Sequence, residues 1–205
     1  MSYASVGMLY PVFAPLVSHT DGSMPTYGTG RKIQEARVAT ITKEFTENPL
    51  YGDDTIQDED NGVTGLQVEF ESTGLTDDDR IALFGEETNA NTVTGGQWES
   101  DNATPYGGFG YIRKMREGGG QNGTSTTKYE AWLVLKIKFQ ETRQEARTKE
   151  GTQITWGTPQ LTGRAAALDV DGGSHQRFRL HKTFEGISAA KTWLNTLLNV
   201  SAVTT

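Results

Sequence analysis

The side chains able to do chemistry in this sequence are carboxylates and three histidines; cysteine is absent. Without Cys, disulfides, thiolate zinc sites and Cys nucleophiles are excluded. Asp58-Glu59-Asp60-Asn61-Gly62 has the look of a calcium loop. Placing Gly62 at the loop glycine puts Gln57 at the first ligand position and Val68 at the twelfth, where a bidentate Glu is required. Asp169-Val170-Asp171-Gly172 fails in the same way, with Ala167 first. Adventitious cation binding by the acidic loop stays open, and no metal or cofactor is expected. His19, His175 and His181 form no helical ligand pair and no H-E-x-x-H, and are expected at the surface or an interface. Gly28-Thr29-Gly30-Arg31-Lys32 lacks the Walker spacing, Gly107-Gly108-Phe109-Gly110 opens a strand and not a helix, and there is no G-x-S-x-G elbow. Carboxylate pairs of the kind glycosidases use are present, but in loops and at a helix start. No catalytic residue is assigned, and an enzyme is not expected.

The charge is local. Twelve acidic residues (Glu44, Glu47, Asp53, Asp54, Asp58, Glu59, Asp60, Glu69, Glu71, Asp77, Asp78 and Asp79) lie between Lys43 and Arg80 with no basic residue among them. Elsewhere 19 Lys and Arg face 14 Asp and Glu, so the net −7 belongs to this stretch. Such a block repels polyanions and must face water, a cation or a basic neighbour. Nucleic-acid binding by charge is therefore disfavoured. The basic groups Arg113, Lys114 and Arg116, and Arg177, Arg179, His181 and Lys182, are modest and could meet the acidic stretch of a neighbouring subunit.

Elements must place these groups. The 24 glycines, abundant Thr and 35% apolar content over 205 residues suit short strands and long loops around one core. No apolar run approaches the roughly 20 residues that span a bilayer, and no secretory signal is read at Met1 to Ser5. Residues 6–17, broken by Pro11 and Pro15, predict an edge strand or arm. Residues 31–45 predict a strand with Ala39, Ile41 and Phe45 toward a core. An acidic loop over 46–62 follows, closed by Asn61-Gly62. Residues 63–71 alternate, with Leu66, Val68 and Phe70 inward and Gln67, Glu69 and Glu71 outward. Thr76 caps a short helix to about residue 84, with Asp77, Asp78 and Asp79 in its favourable first turn and Gly85 as its stop. Residues 108–116 and 128–140 predict a long hairpin with a glycine-rich tip at 117–127. Its second strand carries Tyr129, Ala131, Leu133, Leu135, Ile137 and Phe139 on one face. Ile154 and Trp156 mark a further strand running on to Ala167, and Phe178 and Leu180 another. Ile187, Ala190, Trp193, Leu194 and Leu197 share a face of a closing helix. Of the other tryptophans, Trp156 is expected in the core with Trp193, Trp98 in a loop, and Trp132 on an outer face. The reading is a single mainly-β domain over residues 1–205, a β-sandwich with flanking helices and about eight strands, with an N-terminal arm at about 1–30.

Residues 49–85 resemble the major tail protein of long-tailed bacteriophages of Gram-positive hosts. There, a Leu-Tyr-x-Asp-Asp turn (here Leu50-Tyr51-Gly52-Asp53-Asp54) precedes an acidic loop, an alternating strand and a short helix ending in Leu/Phe-Gly. Residues 108–166 resemble a second block of that family. It runs from Gly-Phe-Gly-Tyr through the strand Tyr129 to Gln140 and a charged link to Gly-Thr-Gln-Ile-Thr-Trp-Gly-Thr-Pro-Gln-Leu-Thr-Gly. The resemblance covers about two thirds of the chain. It implies two roughly orthogonal sheets with a flanking helix, and hexameric rings stacked into a hollow tail tube. Through that conduit the genome passes without specific binding. It implies a virion protein, made and assembled in the host cytoplasm, whose partners are copies of itself and the tape measure, terminator and tip proteins. Leu50, Tyr51, Asp53, Asp54 and Asp58 are then candidate contacts to the adjacent ring, and Gln67, Glu69 and Glu71 candidate lumen residues.

Two other readings stand beside it. A carbohydrate-binding β-sandwich of a tail tip or cell-wall protein requires exposed aromatics. A hydrolase requires one carboxylate whose loss abolishes turnover.

Overall fold

A computed structural model of the chain describes residues 3–34, 36–52, 55–88, 97–98, 104–117, 126–143, 157–173 and 176–201. In chain order the elements are β1 (Tyr3–Ser18), β2 (Thr26–Tyr27), β3 (Arg31–Lys32), β4 (Ala36–Gly52), β5 (Thr55–Ser72), α1 (Asp77–Phe84), β6 (Glu87–Thr88) and β7 (Gln97–Trp98). They continue with β8 (Gly107–Glu117), β9 (Thr127–Arg143), β10 (Gln160–Ala165), β11 (Arg179–Phe184) and α2 (Ile187–Leu197). The described residues are mainly β with two helices. Nine strands form one antiparallel sheet in the order β2-β1-β8-β9-β10-β5-β4, with β3 beside β1 and β11 beside β9; β6 and β7 pair apart from it. Among the described residues, no helix is long and apolar enough to cross a membrane. The expected glycine-rich tip, the charged link, and Ile154 and Trp156 lie outside the described residues apart from their ends.

The sheet curls over its own core. Phe70 on β5 and Phe109 on β8 are three strands apart in the ladder, a separation of about 14 Å in a flat sheet. Their ring centroids are nevertheless 5.4 Å apart and edge-on. Phe109 also meets Phe139 at 5.2 Å, and Phe139 meets Phe13 at 6.0 Å. Leu66, Val68, Leu83, Val134, Ile137 and Leu161 fill the space around these rings. A second core lies on the other face of β1, β8 and β9, beneath α2, and includes Val12, Ile112, Leu133, Leu135, Ala190, Leu194 and Leu198.

The Gly-Phe-Gly-Tyr run explains how β8 serves both cores. Phe109 and Tyr111 enter the aromatic core. Gly108 and Gly110 face α2, where a Cβ on Gly108 would lie 2.6 Å from Leu198 and one on Gly110 2.9 Å from Leu198 and 3.0 Å from Leu194. Bare backbone on that face is what lets the helix rest on the sheet.

Three expectations need correction. Residues 6–17 are an edge strand only in part: up to Leu9 β1 pairs with β8 alone, but from Val12 on it lies between β8 and β3 or β2, with Val12, Phe13 and Ala14 fully buried. Pro11 is accommodated because it falls in an irregularity between Leu9 and Val12, where a missing N–H costs no ladder bond. The carbonyls of Pro11 and Pro15 still accept from Ile33 N and Gly28 N. Strand β9 does not keep one apolar face. It has one residue more than β8 between Val134 and Ile137, so Ala131, Leu133 and Leu135 face α2 while Ile137 and Phe139 turn into the aromatic core. Phe45 is 58% exposed, paired with Val63 past the last buried row, while Ala39 and Ile41 do pack on the core.

Candidate functional site

The candidate residues sit on the hairpin formed by β4 and β5. Its inner half alternates as the sequence predicts: Leu66, Val68 and Phe70 are buried, and Gln67, Glu69 and Glu71 point away from the core. Beyond it, residues 46–52 and 55–62 are strand and not loop. The antiparallel pairing runs on to Gly52 opposite Thr55, so Asn61-Gly62 lies within a strand opposite Glu47 and Thr46. Backbone pairing needs no apolar alternation once the register is set by Val68 against Ile41 and Phe70 against Ala39. The register also manages the charge: Glu47 faces Asn61, Asp60 faces Asn48, Glu59 faces Pro49 and Asp58 faces Leu50. Among the described residues no carboxylate-bearing position of this ladder is paired with another, a register that avoids the cross-strand repulsion such a block invites. Leu50, Tyr51 and Asp58 thus lie on strands near the far end of the arm, and Asp53 and Asp54 lie outside the described residues.

The candidate lumen residues belong to a broad polar face. Thr42, Gln67, Arg164 and Lys138 form one row across β4, β5, β10 and β9, and Thr40, Glu69, Thr162 and Gln140 the next. Neither helix covers this face: α2 packs under β1, β8 and β9, and Leu83 of α1 enters the aromatic core. It is mixed in sign and not purely acidic. Arg164 binds both Glu44 oxygens at 2.9 and 3.1 Å. Gln67 Nε2 donates to Glu69 at 3.4 Å. Arg37 donates to Glu71 at 3.0 Å, and Thr158 Oγ1 also donates to Glu71. These exposed pairs add little stability; they hold the face near neutrality.

The helix carboxylates have structural duties. Thr76 caps α1 reciprocally: Asp79 N donates to Thr76 Oγ1 at 3.2 Å and Thr76 N donates to Asp79 at 3.0 Å. Gly85 ends α1 at φ 75°. Asp78 and Asp79 also pair with Arg31 at 3.1 Å each. Arg80 bridges Glu86 and Glu141 at 3.3 and 3.1 Å. Its burial opposes ionisation, but the hydrogen bonds and charges of Glu141 and Glu86 outweigh that and raise its pKa. Asp169 accepts from the backbone N–H of Asp171 and Gly172, so its turn uses the carboxylate internally.

His19 is not a free surface group: its side chain is 13% exposed, with Nε2 2.8 Å from the Asp169 carbonyl. His181 stacks on Trp132 at 4.3 Å, and the Arg179 guanidinium lies 4.3 Å over the same ring. Trp132 Nε1 donates to Glu130 at 2.7 Å, so Trp132 is covered from within the chain. Trp98 lies on β7 and is about half exposed; Trp193 packs beside Phe184. His175 lies outside the described residues.

What sequence reasoning missed is the open edge of β11 beside the arm. β11 pairs with β9 on one side, in line with β10, and has no strand on its other side among the described residues. The only available signal was the alternation of Arg177, Arg179 and His181 with Phe178 and Leu180.

No protein-family model matches this chain, and no curated protein matches it.

Proposed function

We propose that this protein is a structural, self-assembling subunit of a hollow tube, the tail tube of a long-tailed phage, and that it acts by polymerising and not by catalysis. In this reading the curled sheet corresponds to two roughly orthogonal layers joined through β9. Copies close into hexameric rings, the rings stack, and the tube conducts DNA between terminator and tip around a tape measure protein.

One observation carries the reading: the sheet ends in a 17-residue strand, β4, which among the described residues pairs with no strand but β5, although the curl of the sheet brings β1 near it. Long open edges are templates for pairing with another chain, and monomeric proteins blunt them. β4 carries exposed Val38 and Phe45 instead. The adjoining polar face suits a lumen. Its Thr, Gln and Glu side chains, with Lys138 and Arg164 balanced by Glu44, Glu69 and Glu71, offer DNA no net cationic surface, so phosphates are not retained. The arm, with Leu50, Tyr51, Asp53, Asp54 and Asp58, reaches the neighbouring ring.

A glycan-binding reading is less well supported, because Trp132 is occupied by His181 and Arg179. Negative-stain microscopy of the purified protein tests the proposal: rings or tubes are expected, and dispersed particles at high concentration with assembly partners supplied would refute it. Reversal of Asp53 and Asp54 to Lys should impair tubes while the monomer stays folded; normal tubes would remove that end of the arm from the contact.

A further inference from the structure

We infer that a cationic cleft between β11 and the base of the β4–β5 arm receives the acidic outer half of the same arm from a second copy of this chain. The inference rests on the self-assembly reading above and names the receiving surface, which that reading leaves unassigned.

The sheet splits at the pair Ala165–Leu66. On β9's edge β10 is followed by β11, while β5 runs on with β4 alone, since its pairing with β10 stops at Leu66. Between the diverging branches lies a cleft lined by Lys43, Val63, Leu66, Gln176, Arg177, Phe178 and Arg179. Among the described lining residues three side chains are cationic and none is acidic. His181 continues the row on β11. Arg177 has a partner in Asp171 at 3.1 Å, but both are about half exposed, so the pair is weak and exchangeable. Arg179 is spent on the Trp132 ring, which holds a charge without cancelling it. The cleft therefore combines net positive charge, an apolar floor of Phe178, Leu66 and Val63, and on β11 an open strand edge.

The occupant follows from what would satisfy all three. It must be an extended strand with carboxylates and some apolar side chains. Residues 46–60 meet this description: strand pairing is set for 46–52 and 55–60, the segment carries Glu47, Asp58, Glu59 and Asp60 as well as Leu50 and Ile56, and it contains no basic residue. The arm's base forms one wall of the cleft, and its ladder runs on beyond that base for about 25 Å at strand rise, with no third strand beside it among the described residues. A second copy supplies the same segment without that constraint.

The absence of cysteine makes the test direct. Chains carrying Gln176→Cys are mixed with differently tagged chains carrying Asp58→Cys or Glu59→Cys, one for each face of the strand, and treated with a short bismaleimide during assembly. A cross-linked heterodimer is expected with at least one of the two, and none with Thr88→Cys. In parallel, Lys43→Glu with Arg177→Glu should raise the concentration needed for assembly by about tenfold, and chains also carrying Asp58→Lys and Glu59→Lys should recover part of it. Circular dichroism checks that each variant folds. Normal assembly without the cross-link, and without response to charge reversal, overturns this inference and leaves the tube reading standing. Failure of the unaltered protein to assemble at all overturns both.

Discussion

Replacing Gly110 by Ala tests how the sheet carries its closing helix. A Cβ there would come within 2.9 Å of Leu198 and Val12 and 3.0 Å of Leu194. All three side chains are fully buried, so none can swing into solvent to make room. Overpacking of this kind costs about 1–3 kcal/mol. Ala is favoured over Gly in a strand interior by about 0.5–1 kcal/mol, which offsets part of it. The expected net loss is about 1–2 kcal/mol. For a chain of this length each kcal/mol lowers Tm by about 2–4 °C, so a drop of about 2–8 °C is expected. The assay is a urea or thermal melt by circular dichroism at low protein concentration, so that assembly does not add to apparent stability. Gly7→Ala is the control, because its Cβ would meet nothing within 4 Å, and it should be neutral or stabilising by about 0.4–1 kcal/mol. If Gly110→Ala equals or exceeds the parent in stability while Gly7→Ala behaves as expected, α2 does not rest on β8 as described.

Three further outcomes are expected. Thr76→Ala removes the reciprocal cap of α1 and should cost about 1 kcal/mol, read from the same melts. Arg80→Met leaves Glu86 and Glu141 facing each other without their shared cation and should cost about 2–3 kcal/mol; a triple variant that also replaces both carboxylates by Gln should recover most of it. Burial pushes the Tyr27 phenol, which donates to the Leu135 carbonyl at 2.6 Å, well above its usual range, and raises Tyr111 to about 12 against the opposing charges of Arg179 and Arg113. Both fold as neutral phenols, so their contribution is intact below the unfolded pKa near 10 and is lost as pH rises above it. Urea midpoints should hold from pH 7 to 9 and fall by pH 11, and Tyr27→Phe should fall less.

Parts of this architecture are legible because they depend on neighbours in sequence. The alternation of Leu66, Val68 and Phe70 with Gln67, Glu69 and Glu71 defines both faces of β5. Thr76, Asp79 and Gly85 define α1, since a cap is a contact three residues long. The arm was less legible: Asn61-Gly62 is a good turn dipeptide, and only the partner strand, by continuing to offer register from Thr46 to Gly52, keeps it in a ladder. The inversion of β9 has the same origin, since its extra residue exists only relative to β8. Of the candidate site, the polar residues of β5 were identifiable from alternation alone, while their neutralisation by Arg164, Arg37 and Thr158 was not.

The amino-acid sequence by itself determined the mainly-β character, the location of the helices, and the confinement of negative charge to one stretch, because these follow from residue type and short-range period. Tertiary structure decided which glycines lie under a helix, which face Ile137 and Phe139 take, that no two carboxylate positions pair among the described residues of the arm, and that cations from β4 and from the approach to β11 line one cleft. Each of those is a relation between segments tens of residues apart, and hydrogen-bond register and packing, not local preference, bring them together.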